Sequence, residues 1–259
     1  MRKLLTFLIA LGAIVFALCA PVSAGCIIGG GFICPAATTS LPVSTFQYQA
    51  QSTGANVTQT WAATLGTATP QRFLIFAVGS FSNKSTVTSI TVAPNAGSTV
   101  SLSQAAIDSA SAHQLAIWTG VLLSDADTAT TATITITYSA NPAATTGGLL
   151  WTVPSLNMSS RTSVGTGNNT TASSTTSTTT LATSAGGFVV ALGLASSQPN
   201  TPSSISGTES YTTQSQLIGS GLYVDTAGNA SGVATNASSS VTATYNASTT
   251  VKVIAASWR

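Results

Sequence analysis

The sequence predicts an all-β protein, a single antiparallel β-sandwich or jelly-roll-like domain of about ten strands. Three observations predict it: apolar and polar residues alternate with period two, turn residues separate short apolar segments, and no long amphipathic helix pattern occurs. The clearest alternation is in residues 133–138, where Ile134, Ile136 and Tyr138 share one face of a strand. We therefore expect these three side chains to be buried and the intervening threonines to face outward.

Several other segments are apolar on both faces, as strands covered on both sides of a sheet are. Their β-branched and aromatic content favours strands over buried helices. These central strands are predicted in residues 73–78, 114–123, 149–153, 188–194 and 251–256.

The second half of the chain echoes the first. Tyr138 precedes Trp151 by 13 residues, and Tyr245 precedes Trp258 by the same interval. Matches in the same order indicate an internal duplication, with chance echoes in a Thr-rich chain as the alternative. We expect one pseudo-symmetric domain over residues 45–259. The other matches pair residues 73–77 with 188–192, and Gln114-Leu115 with Gln216-Leu217.

Residues 162–184 are almost wholly Thr, Ser, Gly, Asn and Ala. This low-complexity composition predicts a mobile loop, although residues 176–181 could form an edge strand.

The N-terminus has the pattern of a secretory signal peptide. Arg2 and Lys3 precede an apolar stretch over residues 4–18, and Val22-Ser23-Ala24 suits a cleavage site. We therefore predict a cleaved signal peptide over residues 1–24, with a retained anchor as the alternative. Cleavage predicts a secreted, extracellular or cell-surface protein without a membrane span.

Cleavage at this site leaves Cys26 and Cys34 as the two cysteines of the mature chain. An even pair in an exported chain predicts a disulfide, and lipidation of Cys26 or free thiols are the alternatives. Residues 25–44 are thus interpreted as a Cys loop and an extended arm that leads into the sandwich.

Charge is scarce in this sequence. Only 12 of 259 residues are charged, whereas Ser and Thr supply 81, and about a quarter of an average soluble chain is charged. Removing Arg2 and Lys3 leaves five basic and five acidic residues, so the mature chain is formally neutral. This composition excludes a nucleic-acid binder of the basic-patch type.

The sequence offers little material for catalysis or metal binding. His113 is the single histidine, and no Gly-x-Ser-x-Gly motif occurs, so we predict neither an enzyme nor a cofactor. Asp125 and Asp127 share a polar turn that is a weak candidate for Ca²⁺, with a solvated turn as the alternative. Once the cysteines pair, zinc has no ligand set.

An exposed aromatic side chain would suit a carbohydrate-binding module. Trp118 and Trp151 lie in segments apolar on both faces, which predicts core positions. Trp61 lies between Thr60 and Ala62, so it is the weak candidate for an exposed, glycan-binding tryptophan.

From about residue 45 onward, the sequence resembles a loosely defined group of β-sandwich proteins of tailed phages and proteobacteria. The resemblance implies a structural role on a virion or cell surface and transfers no functional residue. The signal peptide departs from the phage pattern and favours an exported surface protein. The segments that carry the resemblance are residues 72–79, 88–92, 185–190 and 254–258.

These observations predict a non-enzymatic, exported structural or adhesive protein that assembles with itself. A carbohydrate-binding module and a capsid-decoration or tail-fibre protein of a virion are the alternatives. Self-assembly is expected because the predicted edge strands carry almost no charge to oppose pairing with another copy.

Overall fold

A computed structural model describes the chain over residues 43–52, 56–80, 85–108, 114–142, 146–154, 158–195, 202–218 and 223–259. The predicted signal peptide and nearly all of the 25–44 segment, including Cys26 and Cys34, lie outside these residues. Within them the protein is all-β and antiparallel, which confirms the predicted fold class, but the strands number fifteen rather than about ten and form two sandwiches rather than one.

The described residues form fifteen strands and one 3₁₀ turn, Ser124–Ala126. The strands are β1 (Thr45–Ser52), β2 (Thr58–Thr64), β3 (Arg72–Ser80), β4 (Val87–Pro94), β5 (Val100–Ser101), β6 (Ser103–Asp108), β7 (Gln114–Val121), β8 (Thr131–Tyr138), β9 (Thr146–Pro154), β10 (Gly165–Thr183), β11 (Gly187–Ala195), β12 (Pro202–Gly207), β13 (Thr212–Ile218), β14 (Tyr223–Val233) and β15 (Asn236–Trp258).

Strands β1 to β9 form a first sandwich of two sheets. Its inner sheet has the order β1-β9-β3-β7-β6, and its outer sheet has the order β2-β8-β4-β5. The chain alternates between the two sheets along most of its length, with β5 and β6 passing from one to the other. This wrapping is the topology of a jelly roll.

Strands β10 to β15 form a second sandwich with the same plan, in which β10 and β15 each contribute to both layers. Their pairing shifts at a corner, where Ser174 lies opposite Thr249 but Thr176 lies opposite Thr244. Ser173 has a φ of 51°, a left-handed conformation that turns the strand at this corner. The inner layer reads β10-β15-β11-β14-β13, and β12 joins the outer layer through β15.

The strand order therefore repeats between the sandwiches, as an internal duplication would produce. Tyr138 ends β8 opposite Val87, and Tyr245 lies at the corresponding point of β15 opposite Pro202. The predicted match between residues 114–115 and 216–217 is wrong at the strand level. The first pair begins β7, whereas the second lies in β13, whose counterpart in the first sandwich is β6.

Three hydrophobic cores separate the layers. One fills the first sandwich, one fills the second, and one lies between the two inner layers. The inner strands are therefore buried on both faces. In β3, Leu74 and Phe76 face the first core, whereas Phe73 and Ile75 face the core between the sandwiches. This double burial explains the segments that are apolar on both faces.

The alternation in β8 is confirmed: Ile134, Ile136 and Tyr138 are buried, and the threonines between them face outward. The low-complexity segment is not the predicted mobile loop, since most of it forms the 19-residue strand β10, which includes the strand suggested for residues 176–181. Threonine is β-branched and suits a pleated surface, and β15 offers a partner along nearly all of this length. No helix within the described ranges is long and apolar enough to cross a membrane.

Candidate interaction surfaces

The outer sheet of the first sandwich presents a face of hydroxyl groups. Strand pairing places Thr60 beside Thr135 and Thr135 beside Thr91, and the next row joins Ala62, Thr133 and Ala93. Ala62, Ala93 and Thr133 also help to line a shallow depression of about 560 Å³. We call this surface the first hydroxyl face; its other hydroxyl-bearing members are Thr58, Thr64, Ser89, Thr131 and Thr137.

The outer layer of the second sandwich repeats this arrangement. Thr178 lies beside Thr242, and their side-chain oxygens are 2.8 Å apart, within hydrogen-bond distance. The neighbouring rows have the same composition, so this layer forms a second hydroxyl face. Its other members are Thr176, Thr180, Ser204, Ser206, Ser240 and Thr244.

Both hydroxyl faces are free of charged residues, which lie elsewhere in the described part of the chain. Arg72, Asp108 and Lys252 are buried. Each threonine offers one donor, an acceptor oxygen and a methyl group, so the faces are wettable without long-range repulsion. Such a surface is suited to contact with another uncharged surface.

Two edge strands, β10 and β12, are more protected than their uncharged sequences predict. The two parts of β10 lie against each other: Asn169 donates its side-chain amide to the carbonyl oxygen of Thr178 at 2.8 Å. Gly167 allows this approach, because a Cβ there would lie only 2.4 Å from the carbonyl oxygen of Thr180. On β12, the hydroxyl of Thr213 contacts both backbone polar groups of Ile205 at 3.3 Å.

Asp125 and Asp127 lie at the 3₁₀ turn, where each carboxylate accepts hydrogen bonds from a different loop. Asp125 accepts from the backbone N–H and the hydroxyl of Ser98, at 2.9 and 2.5 Å. Asp127 accepts from the backbone N–H of Gln71 at 2.7 Å. Both carboxylates therefore hold neighbouring loops in place. No cluster of three or more metal-ligating His, Cys, Asp or Glu residues occurs in the described ranges.

Arg72 fixes the same turn from the inside. Its buried guanidinium donates to the carbonyl oxygens of Ala126 and Ala129 at 3.1 and 2.5 Å, and to those of Leu65 and Thr67 at 3.3 and 3.4 Å. Burial lowers the pKa of Arg72, and the nearby carboxylate of Asp127 opposes that shift. The role of Arg72 is structural, because each of these hydrogen bonds is donated to a backbone carbonyl oxygen.

The prediction that Trp61 is exposed is wrong. Its side chain is 7% exposed and lies in the first core, with its ring centroid 5.9 Å from that of Phe76. Thr60 and Ala62 face the opposite side of β2, so their small size and polarity say nothing about the environment of Trp61. Among the described side chains, no aromatic residue belongs to the exposed class. His113, like Cys26 and Cys34, lies outside the described residues.

One buried ion pair is absent from the sites predicted from the sequence. Lys252 on β15 and Asp108 on β6 form an ion pair, 3.2 Å from Nζ to Oδ1, although both side chains are buried. The signal in the sequence was a lone lysine inside the apolar run of residues 251–256. Its partner is 144 residues away along the chain, which no local pattern reveals.

No protein-family model, curated protein or solved structure matches this chain.

Proposed function

We propose that this chain is a non-enzymatic, exported structural or adhesive protein of a cell or virion surface, which assembles with itself. The observation that carries the proposal is the pair of uncharged hydroxyl faces on the two outer layers of the fold. Export rests on the signal-peptide pattern of residues 1–24.

The lack of net charge supports self-assembly. The mature chain is formally neutral, so copies of it experience no net long-range repulsion. The hydroxyl faces add no local repulsion, and their threonines have little side-chain entropy to lose on contact. Because β10 and β12 are partly covered by their own neighbours, contact through the faces is favoured over pairing of these edges.

The uses of the ionisable side chains support a non-enzymatic role. Asp125 and Asp127 fasten loops, Arg72 binds backbone carbonyl oxygens, and Asp108 pairs with Lys252. The alternative of a glycan-binding aromatic platform loses its named candidate with the burial of Trp61. A bound glycan would have to be held by the hydroxyl groups themselves.

Light scattering behind a sizing column, on the chain from Gly25 onward, tests the proposal. We expect an oligomer at micromolar concentration, weakened by Thr133→Lys on the first face or by Thr242→Lys on the second. Val164→Lys is the control, because Val164 is exposed but belongs to neither face. A wild-type monomer would overturn self-assembly.

A second variant separates the faces from the N-terminal arm. If deletion of residues 25–44 dissociates the oligomer while both lysine variants remain assembled, the arm is the contact and the assignment to the faces is wrong. If deletion leaves the oligomer intact and the lysine variants weaken it, the faces are the contact.

A further inference from the structure

The ion pair between Lys252 and Asp108 lies at the junction of the two sandwiches. Lys252 belongs to β15 of the second sandwich, and Asp108 belongs to β6 at an edge of the first. The side chain of Lys252 is 0% exposed and that of Asp108 is 4% exposed. Water is therefore almost excluded from an amine and a carboxyl group that contact each other.

The pair has apolar and hydroxyl-bearing neighbours, since Lys252 lies between Thr170 and Leu194 in the sheet. Strand pairing places Lys252 beside Leu194 and Asp108 beside Leu115, and both leucines belong to the core between the sandwiches. On β15, Val251 and Val253 face the core of the second sandwich, whereas Ile254 faces the core between the sandwiches. Lys252, which alternates with the two valines, therefore shares the side of Ile254.

A third residue orients the carboxyl group. Thr170 on β10 donates its hydroxyl to Oδ2 of Asp108 at 2.8 Å, while Oδ1 lies 3.2 Å from Nζ of Lys252. Because the hydroxyl of Thr170 holds Oδ2, Oδ1 of Asp108 is directed toward the amine of Lys252. Proximity and fixed orientation are what an intramolecular condensation requires.

An ion pair in such a place carries an energetic cost. Removing two charges from water is expensive, and their attraction often fails to offset the loss of hydration. Conversion of the pair into a neutral amide would remove both charges while keeping the two strands joined.

We propose that Lys252 and Asp108 form an intramolecular amide cross-link. In this step Nζ of Lys252 gives up protons and attacks the carboxyl carbon of Asp108, a C–N bond forms, and a C–O bond breaks as the carboxyl oxygen takes up the protons and leaves as water. The ammonium and carboxylate thus become one amide and one water molecule, with no change in oxidation state and no other reactant. Thr170 is a positioning residue in this step.

The cross-link would join the two sandwiches covalently through side chains 144 residues apart in sequence. Closing so long a loop restricts the unfolded chain strongly, as a disulfide over the same span would. This inference concerns the interior of one chain and does not rest on self-assembly or on the hydroxyl faces.

Intact mass spectrometry of the full mature chain, denatured and fully reduced, tests the proposal directly. We expect a mass lower than that of the sequence by one water molecule. Proteolysis should then release a branched peptide that joins the segment around Asp108 to the segment around Lys252. A chain of full mass would overturn the proposal.

Cyclisation of Asp108 with the following backbone amide would lose the same mass, so a control is needed. A cyclised aspartate stays within one linear peptide and is cleaved by hydroxylamine, whereas an amide cross-link gives the branched peptide and resists hydroxylamine. Lys252→Arg keeps a cation but lacks a reactive amine, so this variant should regain the full mass. Persistence of the mass loss in that variant would assign it to cyclisation and refute the cross-link.

Discussion

The ring of Phe188 stacks on that of Trp258, with centroids 5.4 Å apart and an interplanar angle of 21°. The two residues lie directly opposite each other on β11 and β15 of the second sandwich. Phe73, from β3 of the first sandwich, meets the same indole edge-on at a centroid distance of 5.9 Å. Trp258 therefore packs against residues of both sandwiches, so that the stability of each depends on the other.

Replacing Trp258 by alanine should destabilise the whole molecule. We expect Trp258→Ala to lower the free energy of unfolding by about 3–5 kcal/mol, because it leaves a large cavity in the core between the sandwiches. Urea denaturation measures the change. The exposed Val164 supplies a matched control, with an expected effect of Val164→Ala within about 0.5 kcal/mol. Equal losses in both variants would contradict the assigned burial.

Strand β8 offers a comparison between neighbouring residues. Ile136→Ala should cost about 2–5 kcal/mol, since Ile136 is fully buried in the first core. Thr135→Ala should cost much less, because Thr135 lies on the first hydroxyl face. Thermal and urea unfolding of the two variants would reveal a wrong register if the order of the losses were reversed.

Arg72 should matter far more to stability than an exposed arginine. Arg72→Met would leave buried carbonyl oxygens of the loops without their donor, at a cost of about 3 kcal/mol or more. Arg161 is exposed, so Arg161→Met should change the free energy of unfolding by at most about 0.5 kcal/mol. A small effect at Arg72 would mean that water replaces the guanidinium without loss.

The raised pKa of Tyr138 predicts that the protein loses stability at high pH. Burial raises the pKa of Tyr138 from 10 to about 12, and the nearby hydroxyl of Thr146 opposes this shift in part. Between these pH values the unfolded chain releases the phenol proton while the folded chain keeps it, so the folded state is disfavoured as pH rises. The contribution lost is about 2–3 kcal/mol across this window.

Urea denaturation between pH 9 and about pH 12 measures this effect. Tyr138→Phe removes the titrating group, so its stability should fall less steeply with pH than that of the wild type. Parallel pH profiles for the two proteins would show that Tyr138 does not resist ionisation in the folded state.

Much of this fold can be predicted from local patterns. Period-two alternation identifies β8, because only one face of this strand packs against a core. Runs that are apolar on both faces identify the inner strands, because both faces of those strands pack against a core. The β10 strand could not be predicted in the same way. Its low-complexity sequence suits a loop equally well, and the pairing with β15 that decides between them involves residues far away in the chain.

The candidate sites were harder to predict because side-chain surroundings are set by tertiary contacts. In a strand, Trp61 faces away from its immediate neighbours, so the residues beside it mislead about its burial. Asp108 and Lys252 become partners only when two sandwiches meet. The hydroxyl faces follow from the same alternation that predicts the core, since the threonines of β8 occupy the opposite side of the strand.

The position of β15 has a consequence for the order of events during synthesis. This strand pairs with β10, β11 and β12, and the ribosome makes it after all three. Both layers of the second sandwich therefore lack the strand that β10 pairs with until residues 236–258 have emerged. Until then the core between the sandwiches lacks Ile254, Ala256 and Trp258. The first sandwich has all its strands by residue 154, whereas the core that joins it to the second is completed only by the last strand of the fold.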